Sequence, residues 1–412
     1  MTYVFAGASS RGLNSFALPL RESYSGTSQI LGIFDINLGR AEYMAARCGN
    51  PPVYADFGEM LRATKPDTVI VTTVDAYHSE YIVQALESGC DVITEKPMTI
   101  DAGKCRAILA AERKSGRKVT VTFNYRYAPY ASKIKELVMS GAVGDVYSVH
   151  FEWLLDKIMA FGAHGTSYFR RWNSRMAKSG GLLVHKSTHH FDLINWWLGA
   201  TPDRVSAFGR LREYGAANAP YQGKNCRSCG HARECRFRYE LTDFEKAFYE
   251  GNERHDGYFK DGCVFSDEID IYDTMAVNVS YREGPVLSYS LNATTPYEGW
   301  RAAINGSRGR LEAFLPETGF QANAGQANSI KVFDLKDNVS EYSITKVNGA
   351  HGGGDERMLG MLFGGAADDP LGYAAGTRAG ANSILIGAAA NISIRESRIV
   401  PIGELLGEES ME

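Results

Sequence analysis

The 412-residue sequence has no apolar run approaching the roughly 18 residues that a membrane-spanning helix needs, so no such span is expected. It also has no block of like charge. Its 44 Lys and Arg stand against 48 Asp and Glu, a net charge of −4 at pH 7, so the basic footprint of nucleic-acid binding is missing. Seven cysteines are too few for a disulfide-stapled scaffold. Low-complexity segments and internal repeats are absent, which excludes solenoid and fibrous classes. The first residues, Met1 to Gly7, lack a basic stretch followed by an apolar one, so no export signal is expected and the expected location is cytoplasmic. What is present is ordinary for a globular chain: 44% hydrophobic and 22% charged residues. At roughly 100–200 residues per domain, the length suggests two or three domains.

Over residues 1–125 short apolar runs alternate with helical spacing. Tyr3–Ala6, Gln29–Phe34, Thr68–Val71, Asp91–Thr94 and Lys118–Val121 read as strands. Arg40–Cys48, Phe57–Ala63, His78–Ser88 and Ala102–Ser115 read as helices between them. This rhythm implies a doubly wound parallel sheet, the α/β class. From residue 126 to 412 the pattern changes. A helix at Pro129–Ser140 leads into a long strand at Val146–Leu155, and a second helix is expected from about Leu182 to Leu198. Strands then follow in series, from Arg204–Arg212 through Glu341–Val347, before helical stretches at Gly354–Phe363 and Ala374–Arg395. Strands without intervening helices imply a large, mostly antiparallel sheet. The expectation is a dinucleotide-binding domain (1–125) followed by an α+β substrate domain (126–412) with an insert at about 218–263.

The first strand runs into Gly7-Ala8-Ser9-Ser10-Arg11-Gly12 and then a helix. This is the G-x-G-x-x-G turn with Ser9 in the middle position. The first glycine permits the tight turn, a small middle residue lets a pyrophosphate approach the backbone, and the third glycine allows close helix–strand packing. The helix N-terminus offers free N–H groups to phosphate. About 20 residues on, Asp35 ends the second strand, where a carboxylate accepts hydrogen bonds from ribose hydroxyls and repels a 2′-phosphate. NAD is therefore expected over NADP, with Arg40 complicating the preference. The alternative for Asp35 is a solvent-facing helix cap.

Glu95-Lys96-Pro97 ends the fifth strand, and the carboxyl ends of strands are where ligands bind in an open α/β sheet. Farther on, Gly180-Gly181 precedes a helix carrying His185, His189 and Asp192, spaced to share one face, with His190 turned away. Removing a proton from an alcohol suits a histidine, whose pKa lies near about 6.5, and a lysine ammonium would stabilise the alkoxide that develops. The same trio could hold a metal ion, or be helix histidines satisfied by local hydrogen bonds.

Together, the Gly7–Gly12 turn, Glu95-Lys96-Pro97, Asn124-Tyr125-Arg126, and Gly180-Gly181 with its histidine-rich helix resemble the Gfo/Idh/MocA oxidoreductases. The resemblance spans nearly the whole chain except about 218–262. It implies NAD(P)-dependent oxidation of a carbohydrate CH–OH group, with Lys96, His185 and His189 catalytic. It places Thr73, His78, Glu95, Lys96 and Asn124 beside the cofactor with Ser10, Arg11 and Arg40, and it implies a homo-oligomer. The helix departs from the family pattern, in which an Asp is followed two residues later by Gly and four residues later by the catalytic His. His189 matches that His, but His185 replaces the Asp and Ser187 the Gly, so the carboxylate partner of Lys96 is missing from its usual place.

Tyr168, Arg171 and Trp172 precede this helix in a glycine-rich stretch. Aromatic faces and an arginine suit a sugar, so these residues and Asp192 are expected to line the substrate site. His351 could bring a further polar group to the pocket. Cys226-x₂-Cys229-x₅-Cys235 and Cys263 suggest structural zinc in a reducing compartment, with an iron–sulfur cluster or four free thiols as alternatives. The expected activity is NAD-dependent oxidation of a secondary hydroxyl of a sugar, glycoside or cyclic polyol. Two other readings stay open: a glycosidase working by transient oxidation and elimination, and a non-enzymatic sugar-sensing module.

Overall fold

A computed structural model describes all residues except 159–162, 320–327, 346, 348–349, 366–367 and 408–412. Six strands form the first sheet: β1 (Thr2–Ala6), β2 (Gln29–Phe34), β3 (Val53–Tyr54), β4 (Thr68–Val71), β5 (Asp91–Thr94) and β6 (Val119–Val121). All are parallel, in the order β3-β2-β1-β4-β5-β6. The order reverses on either side of β1, and the crevice this leaves at the strands' carboxyl ends is where such sheets bind ligands. β4 is buried along its whole length, because helices cover both faces.

The second sheet has nine strands: β7 (Val146–Asp156), β8 (Pro202–Arg210), β9 (Thr274–Tyr281), β10 (Val286–Thr295), β11 (Gly299–Gly306), β12 (Gly309–Pro316), β13 (Asn328–Asp334), β14 (Val339–Ile344) and β15 (Val400–Pro401). Their order is β14-β13-β12-β11-β7-β10-β9-β8-β15, antiparallel except where β7 pairs in parallel with β10. Burial alternates along β9 and β10, so one face packs on the core and the other is open. On the covered face Trp153 and Trp300 meet His190 and Trp197 of the helix Ser187–Leu198, the three tryptophans fully buried, and the helix Thr377–Glu396 packs on β8. Residue 346, near the end of the strand expected over 341–347, lies outside the described residues, and β14 stops at Ile344.

One expected element is divided. The stretch expected as a single helix from 182 to 198 is a short turn, Leu182–His185, and a separate helix, Ser187–Leu198, with Lys186 at the break. The break leaves His185 and His189 facing the same cavity. No described helix is long and apolar enough to cross a membrane.

Candidate active site

A cavity of about 900 Å³ runs from the Gly7–Gly12 turn, past the ends of β4 and β5, to the Leu182–His185 turn. Gly7 adopts φ +109°, and a Cβ there would lie 2.7 Å from the Thr73 nitrogen, so only glycine keeps this turn against β4. A Cβ on Gly12 would meet the Thr72 hydroxyl at 2.5 Å. Ser9 caps the helix, its hydroxyl accepting from the Gly12 amide at 2.9 Å. Asp35 is buried; its carboxylate accepts from the backbone amides of Ala8 and Asn37, each at 2.7 Å. Burial pushes the Asp35 carboxyl up, and Arg40, 3.4 Å away, pulls against that rise. Ser9, Ser10, Asp35, Arg40 and Thr73 all line the cavity. A tight glycine turn, a helix N-terminus and a buried carboxylate after β2 together fit a dinucleotide.

Arg11 lines the cavity with its guanidinium fully engaged. It donates to Glu95 at 2.9 Å and to both oxygens of Asp355 at 2.8 and 2.9 Å. The pair holds Asp355 well below the ordinary carboxylate range, although burial alone would raise it. Asp355 also accepts from the Asn124 amide at 2.6 Å and lies 3.1 Å from His351. His78 lies between the Pro97 and Thr73 carbonyls, joining the β4 and β5 loops.

Lys96 is half-buried and donates to the His185 carbonyl oxygen at 3.0 Å. Burial lowers its pKa to about 8, while Asp75 and Glu95 pull it upward. Asp75 supplies the carboxylate that the histidine-rich helix lacks. It opens the turn Asp75–Tyr77 in the loop after β4 and lies 2.5 Å from His185 Nδ1. Asn173 holds the other ring nitrogen of His185 at 3.1 Å. Burial pushes Asp75 well up and His185 well down, so the imidazole is neutral. Sequence reasoning missed Asp75, although an acid in the loop after a parallel strand was a readable signal.

His189 is 2% exposed, lines the cavity, and its Nδ1 has no partner among the described residues. Burial, reinforced by Lys96 and His351, holds it well below the ordinary histidine range. Tyr125 stands edge-on to both His189 and His351, at 4.8 Å from each. His190 faces away, stacked on Trp153 at 3.9 Å with its Nδ1 2.7 Å from the Tyr289 hydroxyl.

A second chain of proton-bearing groups reaches the same cavity through Tyr168 and His164; Tyr168 was expected from the sequence, whereas His164 and Glu298 were missed. The Tyr168 hydroxyl is 2.8 Å from His164 Nε2, and His164 Nδ1 is 2.9 Å from Glu298. Lys186, buried at the helix break, is 3.9 Å from Glu298. Burial alone would raise Glu298, but His164 and Lys186 outweigh it and hold the carboxylate ionised. Arg171 and Trp172 line the cavity nearby.

Asp192 does not reach the cavity. Its carboxylate is 1% exposed and binds the Arg126 guanidinium at 2.6 and 2.7 Å. The expected substrate role and the metal trio with His185 and His189 therefore both fail: a buried arginine claims the carboxylate. The zinc expectation is likewise not supported. Cys226, Cys229, Cys235 and Cys263 line one small cavity, but among the described residues no group of three or more His, Cys, Asp or Glu is placed to hold a metal ion. Cys226 accepts instead from Arg170 at 3.2 Å. The insert is held by Arg227, which binds Glu250, Glu253 and Asp261, and by Tyr221, Phe237 and Phe265.

The chain matches two family models: the NAD-binding Rossmann fold of an oxidoreductase family over residues 1–123, and that family's C-terminal α/β domain over 135–402. YteT of Bacillus subtilis (strain 168), named as an oxidoreductase without a stated substrate, is 38% identical over 425 residues, covering 98% of each chain. The D-glucoside 3-dehydrogenase of Escherichia coli (strain K12) is 28% identical over 171 residues, 42% of this chain and 47% of that enzyme. Among solved structures, an oxidoreductase from Agrobacterium radiobacter in complex with NAD+, L-tartaric acid and magnesium superposes with a TM-score of 0.67 at 14% identity, covering 98% of this chain and 99% of that one. At that identity the likeness speaks for the fold alone. The Rossmann turn, the lysine after β5 and the histidine helix thus occur within a chain matched almost end to end by one family: it belongs to the Gfo/Idh/MocA oxidoreductases.

Proposed function

We propose that the protein is an NAD-dependent dehydrogenase that oxidises a secondary hydroxyl of a sugar, glycoside or cyclic polyol. The observation that carries this reading is the convergence of Lys96 and His189 on the cavity that begins at the dinucleotide turn. The dinucleotide, held by the Gly7–Gly12 turn and Asp35, would supply a hydride acceptor. His189 lines the cavity as a neutral imidazole and takes the hydroxyl proton. The Lys96 ammonium stabilises the alkoxide as it forms. His185, with Asp75 on one nitrogen and Asn173 on the other, has no nitrogen left to serve as base and forms the wall of the site beside Lys96. Tyr168, Arg171 and Trp172 supply the face and donors that a pyranose requires.

A second reading, the glycosidase that oxidises, eliminates and then reduces, is favoured by one observation. Such a reaction needs a second acid/base, and the Tyr168–His164–Glu298 chain offers one in the same cavity. Incubation with NAD+ and aryl glycosides separates the two readings. Accumulating NADH supports the dehydrogenase, whereas aglycone release without NADH supports the glycosidase.

The open face of the nine-stranded sheet, where Phe208 is 79% exposed, is the surface on which a second copy would pack. Light scattering at micromolar concentration is expected to return a dimer or larger oligomer; a monomeric mass would contradict this.

A further inference from the structure

The insert does more than decorate the second domain, because part of it crosses back to the first. Phe248, fully buried, meets Tyr43 edge-on at 5.2 Å, and Phe244 stacks on Phe248. The Tyr249 hydroxyl donates to Ser10 Oγ at 2.8 Å, and the Asn37 amide donates to the Asn252 carbonyl at 2.9 Å. Asp256 receives Arg40 Nη2 at 2.7 Å, the same nitrogen that lies 3.4 Å from Asp35. Tyr249, Asp256 and Tyr258 line the cavity beside Asp35 and Arg40, where β2 ends.

Arg40 is therefore held between two carboxylates, one from each half of the molecule. A 2′-phosphate on an adenosine ribose at Asp35 would need a free arginine and would meet net negative charge instead. We propose that residues 243–260 form a clasp on the adenosine half of the dinucleotide. Within it, Asp256 is a specificity-determining residue: it occupies Arg40 and, with Asp35, excludes NADP. This rests on the dinucleotide reading of the Gly7–Gly12 turn given above.

The electrostatic logic is specific to Asp256. Asp35 alone would leave Arg40 able to swing to a phosphate, since the 3.4 Å contact is the weaker of its two. Removing the Asp256 charge releases Arg40 and removes a repulsive centre in one step. Near a protein surface, one unit charge a few ångströms away corresponds to roughly a ten- to hundredfold change in affinity.

The test is titration calorimetry of the full-length protein with NAD+ and with NADP+, comparing wild type, Asp256→Asn and Asp256→Ala, with a circular dichroism melt to establish that each variant is folded. Wild type is expected to prefer NAD+. Both variants are expected to narrow that preference about tenfold or more, chiefly by tighter NADP+ binding. A preference unchanged within about twofold in folded Asp256→Asn would overturn the proposal, as would a wild-type preference for NADP+. Binding of neither nucleotide by folded wild type would remove the underlying dinucleotide reading, a result distinguishable from failure of the clasp alone.

Discussion

At the scale of single residues, the site depends on where burial places each proton. His189 is pushed well below the ordinary histidine range, so it is already a neutral base at pH values where a surface histidine would be charged. Lys96 is lowered to about 8, so its ammonium is present at neutral pH and lost as pH rises through that value. The two directions define a pH profile. The ratio kcat/KM is expected to show no acid limb near the ordinary histidine pKa and to fall above pH about 8. Replacing Lys96 with Met should remove the alkaline limb and lower kcat about 10²–10³-fold, as for loss of one donor to an oxyanion. A profile rising through pH 9 would contradict the assignment. The carboxylate partner of Lys96 was not legible from its own helix, because Asp75 lies 110 residues away from His185 and only the fold joins them. His164 and Glu298 are separated by 134 residues for the same reason.

At the scale of elements, periodicity served where one face of an element is buried and failed where a helix is broken for chemistry. The strands Gln29–Phe34, Thr68–Val71, Asp91–Thr94 and Thr274–Tyr281 follow the apolar pattern residue for residue. The two-residue strand Val53–Tyr54 is too short to show a pattern. The interruption at Lys186 escapes any periodic reading, because the flanking residues keep helical spacing on both sides. Helical spacing also placed Asp192 on the face of His185 and His189, yet the helix turns it onto Arg126 from the Asn124–Tyr127 turn. This pair ties the turn that leads out of the first domain to the helix Ser187–Leu198. Asp192→Ala would strand a buried guanidinium at a cost of about 3–5 kcal/mol. The thermal midpoint should fall by about 10 °C in a circular dichroism melt. A melt unchanged in Asp192→Ala would mean that the pair contributes little to stability.

At the scale of the whole molecule, the candidate site lies where the two domains meet. The parallel sheet brings the glycine turn, Asp75 and Lys96 to one edge of the cavity, and the second domain brings His164, His185, Lys186 and His189 to the other, with Glu298 behind His164. One parallel and one mostly antiparallel sheet followed from how strands and helices alternate along the chain; the order of strands within each did not. The contacts across the cavity did not, because side-chain patterning reports which face is buried, not against what. The most direct measurement is the NADH absorbance produced by the purified protein with NAD+ across a panel of free sugars, cyclic polyols and aryl glycosides, with aglycone release followed in the same cuvette. The account predicts NADH formation with at least one member, falling about 10²–10⁴-fold in His189→Ala while NAD+ binding persists. Neither NADH nor aglycone from any member, in a protein that binds NAD+, would contradict it and leave a sugar-sensing module in its place.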